Sequence, residues 1–199
     1  MKAVVMSVLC AGGLALAVPV HAQDTANLKV GDMAPNFKLQ ASDGKSYQLS
    51  DYKGKQAVVL AWFPAAFTSG CTIECKSLAE HGDMIQKYDV TYFMASVDDA
   101  QKNADFAKAT SVTLGQGPNS RVVEKKEADF PLLADPTKAT AKAYGVLSER
   151  GFANRWTFYV GKDGRITYID KDVNAHLATS AEDMAAKLGE LKVPQKMVH

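Results

Sequence analysis

A buried strand that ends at a proline and leads into a cysteine is the feature that most constrains the fold of this chain. Residues 57–63 read Ala-Val-Val-Leu-Ala-Trp-Phe, an apolar run typical of a strand covered on both faces. Pro64 ends the run, and a short loop then places Thr68 and Cys71 three residues apart, at the predicted first turn of a helix. This strand, loop and helix predict an α/β fold with a thiol at a helix N-terminus.

The hydrophobic periodicity and turn residues in the rest of the chain predict a central mixed β-sheet with helices on both faces and a β-hairpin near the N-terminus. Ser180 is predicted to cap the final helix. Residues 112–129 lack a clear period and are predicted to form a surface loop, in which the charged run 124–127 is a solvated face. The other predicted elements are hairpins at 36–49 and 156–169, a strand at 90–97, an extended piece at 131–133, and helices at 69–87, 100–110, 137–144 and 180–191.

The first 22 residues have the pattern of a secretory signal peptide. Lys2 supplies a positive charge, residues 3–18 are apolar and uncharged, and Val20-His21-Ala22 fits a signal-peptidase site. We therefore expect residues 23–199 to form one domain that is exported, in a bacterium to the periplasm. The apolar stretch is too short for a membrane anchor, so no membrane association is expected after cleavage.

Charge and cysteine content narrow the function. The chain has 23 basic and 22 acidic residues, and because Lys2 lies in the leader, the rest is electrically balanced. A chain without net charge lacks the excess positive charge that attracts the phosphate backbone of nucleic acid, so nucleic-acid binding is not expected. Two of its three cysteines, Cys71 and Cys75, lie outside the leader, and thiols four residues apart cannot staple a fold. A role in thiol chemistry therefore explains Cys71 and Cys75 better than a structural disulfide does.

A reactive cysteine must be ionised, and an ordinary free thiol is only about 3 % thiolate at pH 7. A helix N-terminus contributes about 0.3–1 kcal/mol in favour of the anion, and a hydrogen bond from the Thr68 hydroxyl about 1.5–3 kcal/mol. A guanidinium about 4 Å away contributes about 4 kcal/mol at an effective dielectric near 20. Arg155 is the candidate, because it immediately precedes the strand 156–160, which we expect in the same sheet as residues 57–63. The alternatives Arg121, Arg150 and Arg165 lie in predicted loops or turns.

The spacing Pro64-x₃-Thr68-x₂-Cys71 resembles the reactive-cysteine motif of the peroxiredoxins, in the AhpC/TSA superfamily. Arg155 followed by Thr157-Phe158 resembles that family's arginine-before-strand element. The segments 31–37, 130–136 and 143–146 are similar to further family elements, so that the resemblance covers about residues 30–191. It is strongest to the bacterioferritin-comigratory, or Q-type, subgroup, which implies a thioredoxin-like fold and a monomer or weak dimer.

The resemblance implies a peroxidase that needs no metal or organic cofactor. The Cys71 thiolate would attack a hydroperoxide and become a sulfenic acid. Thr68 and backbone N–H groups near Cys71, including that of Gly70, would orient the peroxide, and Arg155 would stabilise the developing charge. Pro64 would shield the sulfur from water.

Cys75 departs from the Q-type pattern, which places the resolving cysteine five residues after the reactive one. Residues i and i+4 of a helix have Cβ atoms about 5–6 Å apart, whereas a disulfide needs about 3.5–4.5 Å. We therefore expect the first helical turn to unwind so that Cys75 can condense with Cys71, after which a thioredoxin-like donor reduces the bridge. The alternative is that Cys75 is a buried apolar residue and an external thiol completes the cycle.

Two other functions stay open at this point. The Cys71-x₃-Cys75 spacing is also that of Sco-type copper chaperones, in which His176 would supply a third ligand for Cu(I). A thiol–disulfide oxidoreductase would use the same cysteine pair, although that class has two residues, not three, between its cysteines.

Overall fold

The computed structural model describes residues 27–196. The predicted signal peptide, residues 1–22, lies outside the described residues. Within residues 27–196, no helix is both long enough and apolar enough to span a bilayer.

A seven-stranded mixed sheet forms the centre of the molecule. Its strand order is β2-β1-β7-β4-β3-β8-β9, and β5 pairs with β6 in a separate two-stranded sheet. Parallel pairing joins β3 to β4 and β4 to β7, while the pairs at both edges are antiparallel. The strands are β1 (Lys38–Ala41), β2 (Ser46–Gln48), β3 (Ala57–Trp62), β4 (Val90–Ser96), β5 (Ser111–Leu114), β6 (Arg121–Glu124), β7 (Leu132–Ala134), β8 (Thr157–Val160) and β9 (Ile166–Asp170).

In the described residues 27–196, five α-helices accompany the sheet, and helical residues pack on both of its faces. They are α1 (Ser69–His81), α2 (Asp83–Gln86), α3 (Ala100–Lys108), α4 (Ala139–Ala143) and α5 (Ser180–Glu190). Short 3-10 turns occur at Leu49–Asp51, Gly117–Asn119, Val173–Ala175 and Leu177–Thr179.

Alternation along β3 divides the apolar interior into two cores. Val59 and Ala61 face a core that contains residues of α1, α2, α3 and α5. Val58 and Leu60 face a second core with the N-terminal hairpin and α4. Because successive side chains of a strand point to opposite faces, a continuous apolar run such as β3 is what a strand covered on both sides requires. The expected mixed sheet between helices is confirmed, as is the hairpin near the N-terminus.

The loop expected at residues 112–129 is wrong, because β5 and β6 form an antiparallel hairpin there. Val112 and Leu114 of β5 are buried while their neighbours are exposed, the alternation of a half-buried strand. The solvated face expected for residues 124–127 is also wrong at Lys125, which is only 4 % exposed.

Two helix predictions need correction. The predicted helix 69–87 is interrupted at Gly82, a residue of low helix propensity. A Cβ atom at Gly82 would lie 2.5 Å from the Tyr92 hydroxyl, so this close approach requires glycine. Ser180 does not cap α5, because it is the first helical residue, and its hydroxyl donates a 3.0 Å hydrogen bond back to the Leu177 carbonyl.

Candidate active site

The candidate site lies where β3 ends and α1 begins, in the loop that starts at Pro64. Half-buried Pro64 follows the strand. The Ala66 N–H donates a 2.8 Å hydrogen bond to the Asp98 carboxylate, which anchors the loop to the segment after β4. Thr68, with extended backbone, then precedes the first residue of α1. This connection fixes the direction in which the helix leaves the sheet.

Cys71 lies in the first turn of α1 and is completely buried. The Arg155 side chain reaches it, and Nη2 of the guanidinium donates to the sulfur at 3.1 Å. A full positive charge and the N-terminal end of a helix therefore both act on the same sulfur. Each favours its anionic form over the neutral thiol.

Strand pairing explains why a residue so distant in sequence meets Cys71. β8 pairs antiparallel with β3, and Ala61 lies opposite Thr157. One step beyond, the Trp62 N–H donates a 2.9 Å hydrogen bond to the Trp156 carbonyl. Arg155 therefore stands at the end of the sheet from which the Pro64 loop departs. The expected proximity of Arg155 to Cys71 is confirmed.

Two further side chains hold the guanidinium in this orientation. Arg155 Nε donates a 2.9 Å hydrogen bond to the Asn174 side-chain oxygen, in the 3-10 turn after β9. Arg155 Nη1 forms an ion pair with the Glu74 carboxylate. With a different nitrogen engaged by each partner, the rigid planar guanidinium has little freedom to turn away from the sulfur.

Glu74 is a site residue that the sequence interpretation missed. It is 1 % exposed, and burial raises the pKa of its carboxyl group to about 7, while the charge of Arg155 opposes the rise. A signal was present in the sequence, because Cys71, Glu74, Cys75 and Leu78 share the i, i+3, i+4, i+7 spacing of one helix face. A carboxylate on a buried face requires a cationic partner.

Gly70 is a packing requirement of the site. A Cβ atom at this position would lie 3.0 Å from Arg155 Nη2 and 3.3 Å from a methyl carbon of Leu177. The absence of a side chain leaves the space in which the guanidinium approaches Cys71.

The Thr68 hydroxyl does not donate to Cys71 as expected. It donates instead to the Ala65 carbonyl at 3.0 Å, and Thr68 is exposed to solvent. The nearby turn carbonyl offers the hydroxyl a local acceptor, as is common for threonine beside a helix N-terminus. Of the two side-chain contacts expected at the sulfur, the structure therefore shows that of Arg155.

Cys75 lies one helical turn after Cys71 and is also completely buried, and both thiols are free. Burial raises the pKa of Cys75 to about 12, and the Lys125 charge is the largest effect that opposes this rise. Both cysteines lie within the intact helix α1, in which i, i+4 Cβ atoms are about 5–6 Å apart. A disulfide therefore requires local rearrangement of α1.

His176 does not join the cysteines. Its Nε2 lies 3.2 Å from an Asp170 carboxylate oxygen and its Nδ1 3.0 Å from one of Asp183. Within residues 27–196, no three His, Cys, Asp or Glu side chains come together as a metal-binding group. The histidine lies in a polar cluster between β9 and α5.

Comparison with known proteins gives one consistent result. The sequence profile of the AhpC/TSA family matches residues 30–169. Peroxiredoxin Bcp of Escherichia coli K12 is 30 % identical over 152 residues, which cover 73 % of this chain and 86 % of the relative. Alkyl hydroperoxide reductase E of Mycobacterium bovis is 31 % identical over 147 residues, which cover 72 % of this chain and 85 % of the relative.

Solved structures show the same fold. Peroxidoxin BcpB from Mycobacterium tuberculosis superposes with a TM-score of 0.66 at 24 % identity, over 82 % of this chain and 98 % of that chain. Thioredoxin peroxidase I of Plasmodium yoelii superposes with a TM-score of 0.67 at 23 % identity, over 82 % and 91 %. The copper-chaperone and thiol–disulfide oxidoreductase alternatives are not favoured by these matches.

Proposed function

Because this chain belongs to the AhpC/TSA family, as a thiol-dependent peroxidase of the Bcp or Q-type peroxiredoxin group, we propose that Cys71 is the sulfur that reduces its hydroperoxide substrate. The observation that carries the proposal is the 3.1 Å contact between Arg155 Nη2 and Cys71 Sγ in a buried site at a helix N-terminus. A thiolate is the nucleophile in such chemistry, and this contact favours the thiolate.

The reaction at Cys71 is a displacement on oxygen. The thiolate sulfur attacks the distal peroxide oxygen, the S–O bond forms and the O–O bond breaks. The departing oxygen takes up a proton and leaves as water or an alcohol, and Cys71 becomes a sulfenic acid. Arg155 has a second role here, because charge moves from the sulfur to the departing oxygen and the guanidinium is placed to stabilise both.

The remaining loop residues take supporting roles in the proposal. Pro64 closes the strand and limits water at the sulfur, and Gly70 admits the guanidinium. The Thr68 hydroxyl, together with N–H groups at the start of α1, binds the peroxide when the substrate enters. Thr68 is exposed, so rotation of its hydroxyl away from the Ala65 carbonyl breaks a single hydrogen bond.

Cys75 completes the oxidative half of the cycle. Its thiolate displaces hydroxide from the Cys71 sulfenic acid, so that an S–S bond replaces the S–O bond and the hydroxide takes up a proton to give water. Unwinding of the first turn of α1 brings the two sulfurs into bonding distance. A thioredoxin-like dithiol then reduces the bridge by thiol–disulfide exchange.

The test is a single turnover with one equivalent of hydrogen peroxide. Mass spectrometry of the reduced protein should show the loss of two hydrogens on the monomer, through a Cys71–Cys75 bridge. Cys71→Ser should abolish peroxide consumption, and Cys75→Ser should accumulate a sulfenic acid on Cys71 that a dione reagent traps. A Cys71→Ser variant that still turns over would contradict the assignment, whereas a persistent sulfenic acid in the unsubstituted protein would remove only the role of Cys75.

We also propose that the protein is exported and cleaved after Ala22, and that it functions as a monomer or weak dimer. Lys2, the apolar residues 3–18 and the Val20-His21-Ala22 site support export. N-terminal sequencing of the protein from a periplasmic fraction should begin at Gln23, and sedimentation should give mainly the monomer mass. Full-length protein in the cytoplasmic fraction would contradict export.

A further inference from the structure

Lys125 is a buried lysine that the peroxidase chemistry described above does not use. Lys125 directly follows β6, at the end of the β5–β6 hairpin that the sequence did not predict. Only 4 % of its surface is exposed. Lysine is almost never fully buried without a partner for its charge. Burial lowers the pKa of this ammonium group.

The immediate partners of the ammonium group are weak ones for a buried charge. Nζ donates to the Ala107 carbonyl at 3.2 Å and to the Lys126 carbonyl at 3.1 Å. It also lies 5.6 Å from the centre of the Phe106 ring. Among residues 27–196, no ion pair with Lys125 Nζ is formed, and Glu127 favours its charge only from beyond ion-pairing distance. Lys125 therefore brings into the core a positive charge that no carboxylate contacts directly.

The hairpin holds this charge beside α1. Lys76, the residue after Cys75, donates a 2.7 Å hydrogen bond through Nζ to the carbonyl of Glu124, the residue before Lys125. Cys75 and Phe106 lie in the same apolar core, and Lys125 Nζ packs over Phe106. This shared core and the tie between the hairpin and α1 place the Lys125 charge near Cys75, where it lowers the pKa of the Cys75 thiol against the effect of burial.

We propose that Lys125 is the charge partner of Cys75 during formation of the disulfide. The proposal rests on the proposed role of Cys75 as the resolving thiol. In that step Cys75 must lose its proton inside the core, and its thiolate must attack the Cys71 sulfenic acid, forming S–S and releasing hydroxide. The ammonium of Lys125 stabilises the thiolate while it forms, and the released proton converts the hydroxide into water.

Unlike Lys125, the other ionisable groups around Cys75 do not favour its thiolate. Glu74 and Cys71 share its helix face, and negative charge on either opposes ionisation of Cys75. Tyr92, on β4, interacts with Cys75 and has its own pKa raised by burial. Lys125 is the cation that favours the Cys75 thiolate, as Arg155 is for Cys71.

The experiment follows one turnover in four variants. Lys125→Met removes the charge and the hydrogen bonds, Lys125→Gln keeps an N–H donor for the Ala107 carbonyl, and Lys125→Arg keeps the charge. Lys126→Met is the matched control, because Lys126 is the exposed neighbour. Reduced protein is mixed with one equivalent of hydrogen peroxide. Mass spectrometry at successive times then measures sulfenic acid formation and its conversion to the disulfide as separate steps.

Lys125→Met and Lys125→Gln should form the sulfenic acid at the original rate but convert it at least about tenfold more slowly at pH 7. Lys125→Arg should convert faster than Lys125→Gln, and Lys126→Met should be unchanged. The difference between the unsubstituted protein and Lys125→Gln should shrink at high pH, where Lys125 itself loses its proton. A merely structural role would leave that difference constant with pH.

Two results would overturn the inference, and they are distinguishable. If the unsubstituted protein forms the bridge and Lys125→Gln forms it equally fast, the charge of Lys125 has no part in the step and the role of Cys75 stands. If the unsubstituted protein forms no bridge, both the role of Cys75 and the inference are wrong. Should Lys125→Met fail to fold, Lys125→Gln with its retained donor supplies the same comparison.

Discussion

Replacing Arg155 by methionine removes the positive charge from the sulfur while keeping an unbranched side chain. The guanidinium nitrogen lies 3.1 Å from Cys71 Sγ. At this distance and an effective dielectric near 20, the attraction to a thiolate is about 5 kcal/mol. Each 1.36 kcal/mol changes the ratio of thiolate to thiol about tenfold. Because burial of the anion opposes part of this attraction, we expect the oxidation of Cys71 by peroxide to slow about 10²-fold or more at pH 7.

The substitution also leaves Glu74 buried without its cation. Losing one member of a buried ion pair costs about 3–5 kcal/mol of stability, so a slower reaction could reflect a disturbed site. The double variant Arg155→Met/Glu74→Gln removes this problem, because the neutral amide needs no counter-ion. If the charge on the sulfur matters, the double variant should remain as slow as Arg155→Met while recovering part of its stability in urea unfolding.

Stopped-flow fluorescence supplies the assay, since Trp62 ends the strand that leads to Cys71 and Trp156 follows Arg155. Arg121→Met is the control, because Arg121 is exposed at the start of β6 and should not affect oxidation. The reasoning is refuted if folded Arg155→Met, or the double variant, reacts with peroxide at the rate of the unsubstituted protein.

Three further predictions concern neighbouring positions. Burial raises the pKa of Glu74 from 4.5 to about 7. The folded protein therefore binds this proton more tightly than the unfolded chain does. As a result, the free energy of unfolding should fall by up to about 3 kcal/mol as the pH rises from about 4.5 to about 7. Urea unfolding of Glu74→Gln should lack this component, and an identical pH dependence in both proteins would show that Glu74 does not titrate there. Gly70→Ala places a Cβ 3.0 Å from Arg155 Nη2. It should slow the oxidation of Cys71 by peroxide about tenfold, with little change in melting temperature. Unchanged oxidation kinetics would mean that the guanidinium adjusts freely to the added methyl group. Gly82→Ala places a Cβ 2.5 Å from the Tyr92 hydroxyl and should lower unfolding free energy by about 1–3 kcal/mol without changing the oxidation rate; a stabilised variant would show that low helix propensity alone explains the glycine.

The sequence predicted the central part of the fold and of the site because both depend on short-range patterns. The apolar run of β3, the proline after it and the thiol at the start of α1 are contiguous in the chain. Although Arg155 is far from Cys71 in the sequence, its proximity could be predicted because it directly precedes a strand. Pairing of that strand with β3 brings Arg155 to the end of the sheet at which the Cys71 loop begins. The Q-type resemblance and the mixed sheet follow from these features and are confirmed.

The missed features depend on contacts between distant segments or on the surroundings of a single group. Nothing local distinguishes Lys125 from Lys126, yet one is buried and the other exposed, because the Lys125 side chain packs against Phe106 and Ala107 of α3. The burial of Glu74 depends on Arg155, which is 81 residues away in the chain. The Thr68 hydroxyl was expected at the sulfur, but a nearer carbonyl accepts its hydrogen bond.

The central claim is that the Arg155 guanidinium stabilises negative charge on the Cys71 sulfur, and the most direct measurement compares the thiolate content of Cys71 with and without Arg155. Ultraviolet thiolate absorbance of the reduced Cys75→Ser variant reports Cys71 alone within residues 23–199. At pH 7 this absorbance should be larger with Arg155 present than in Arg155→Met in the same background, because the guanidinium contacts the sulfur. Equal absorbance in the two proteins would contradict the claim.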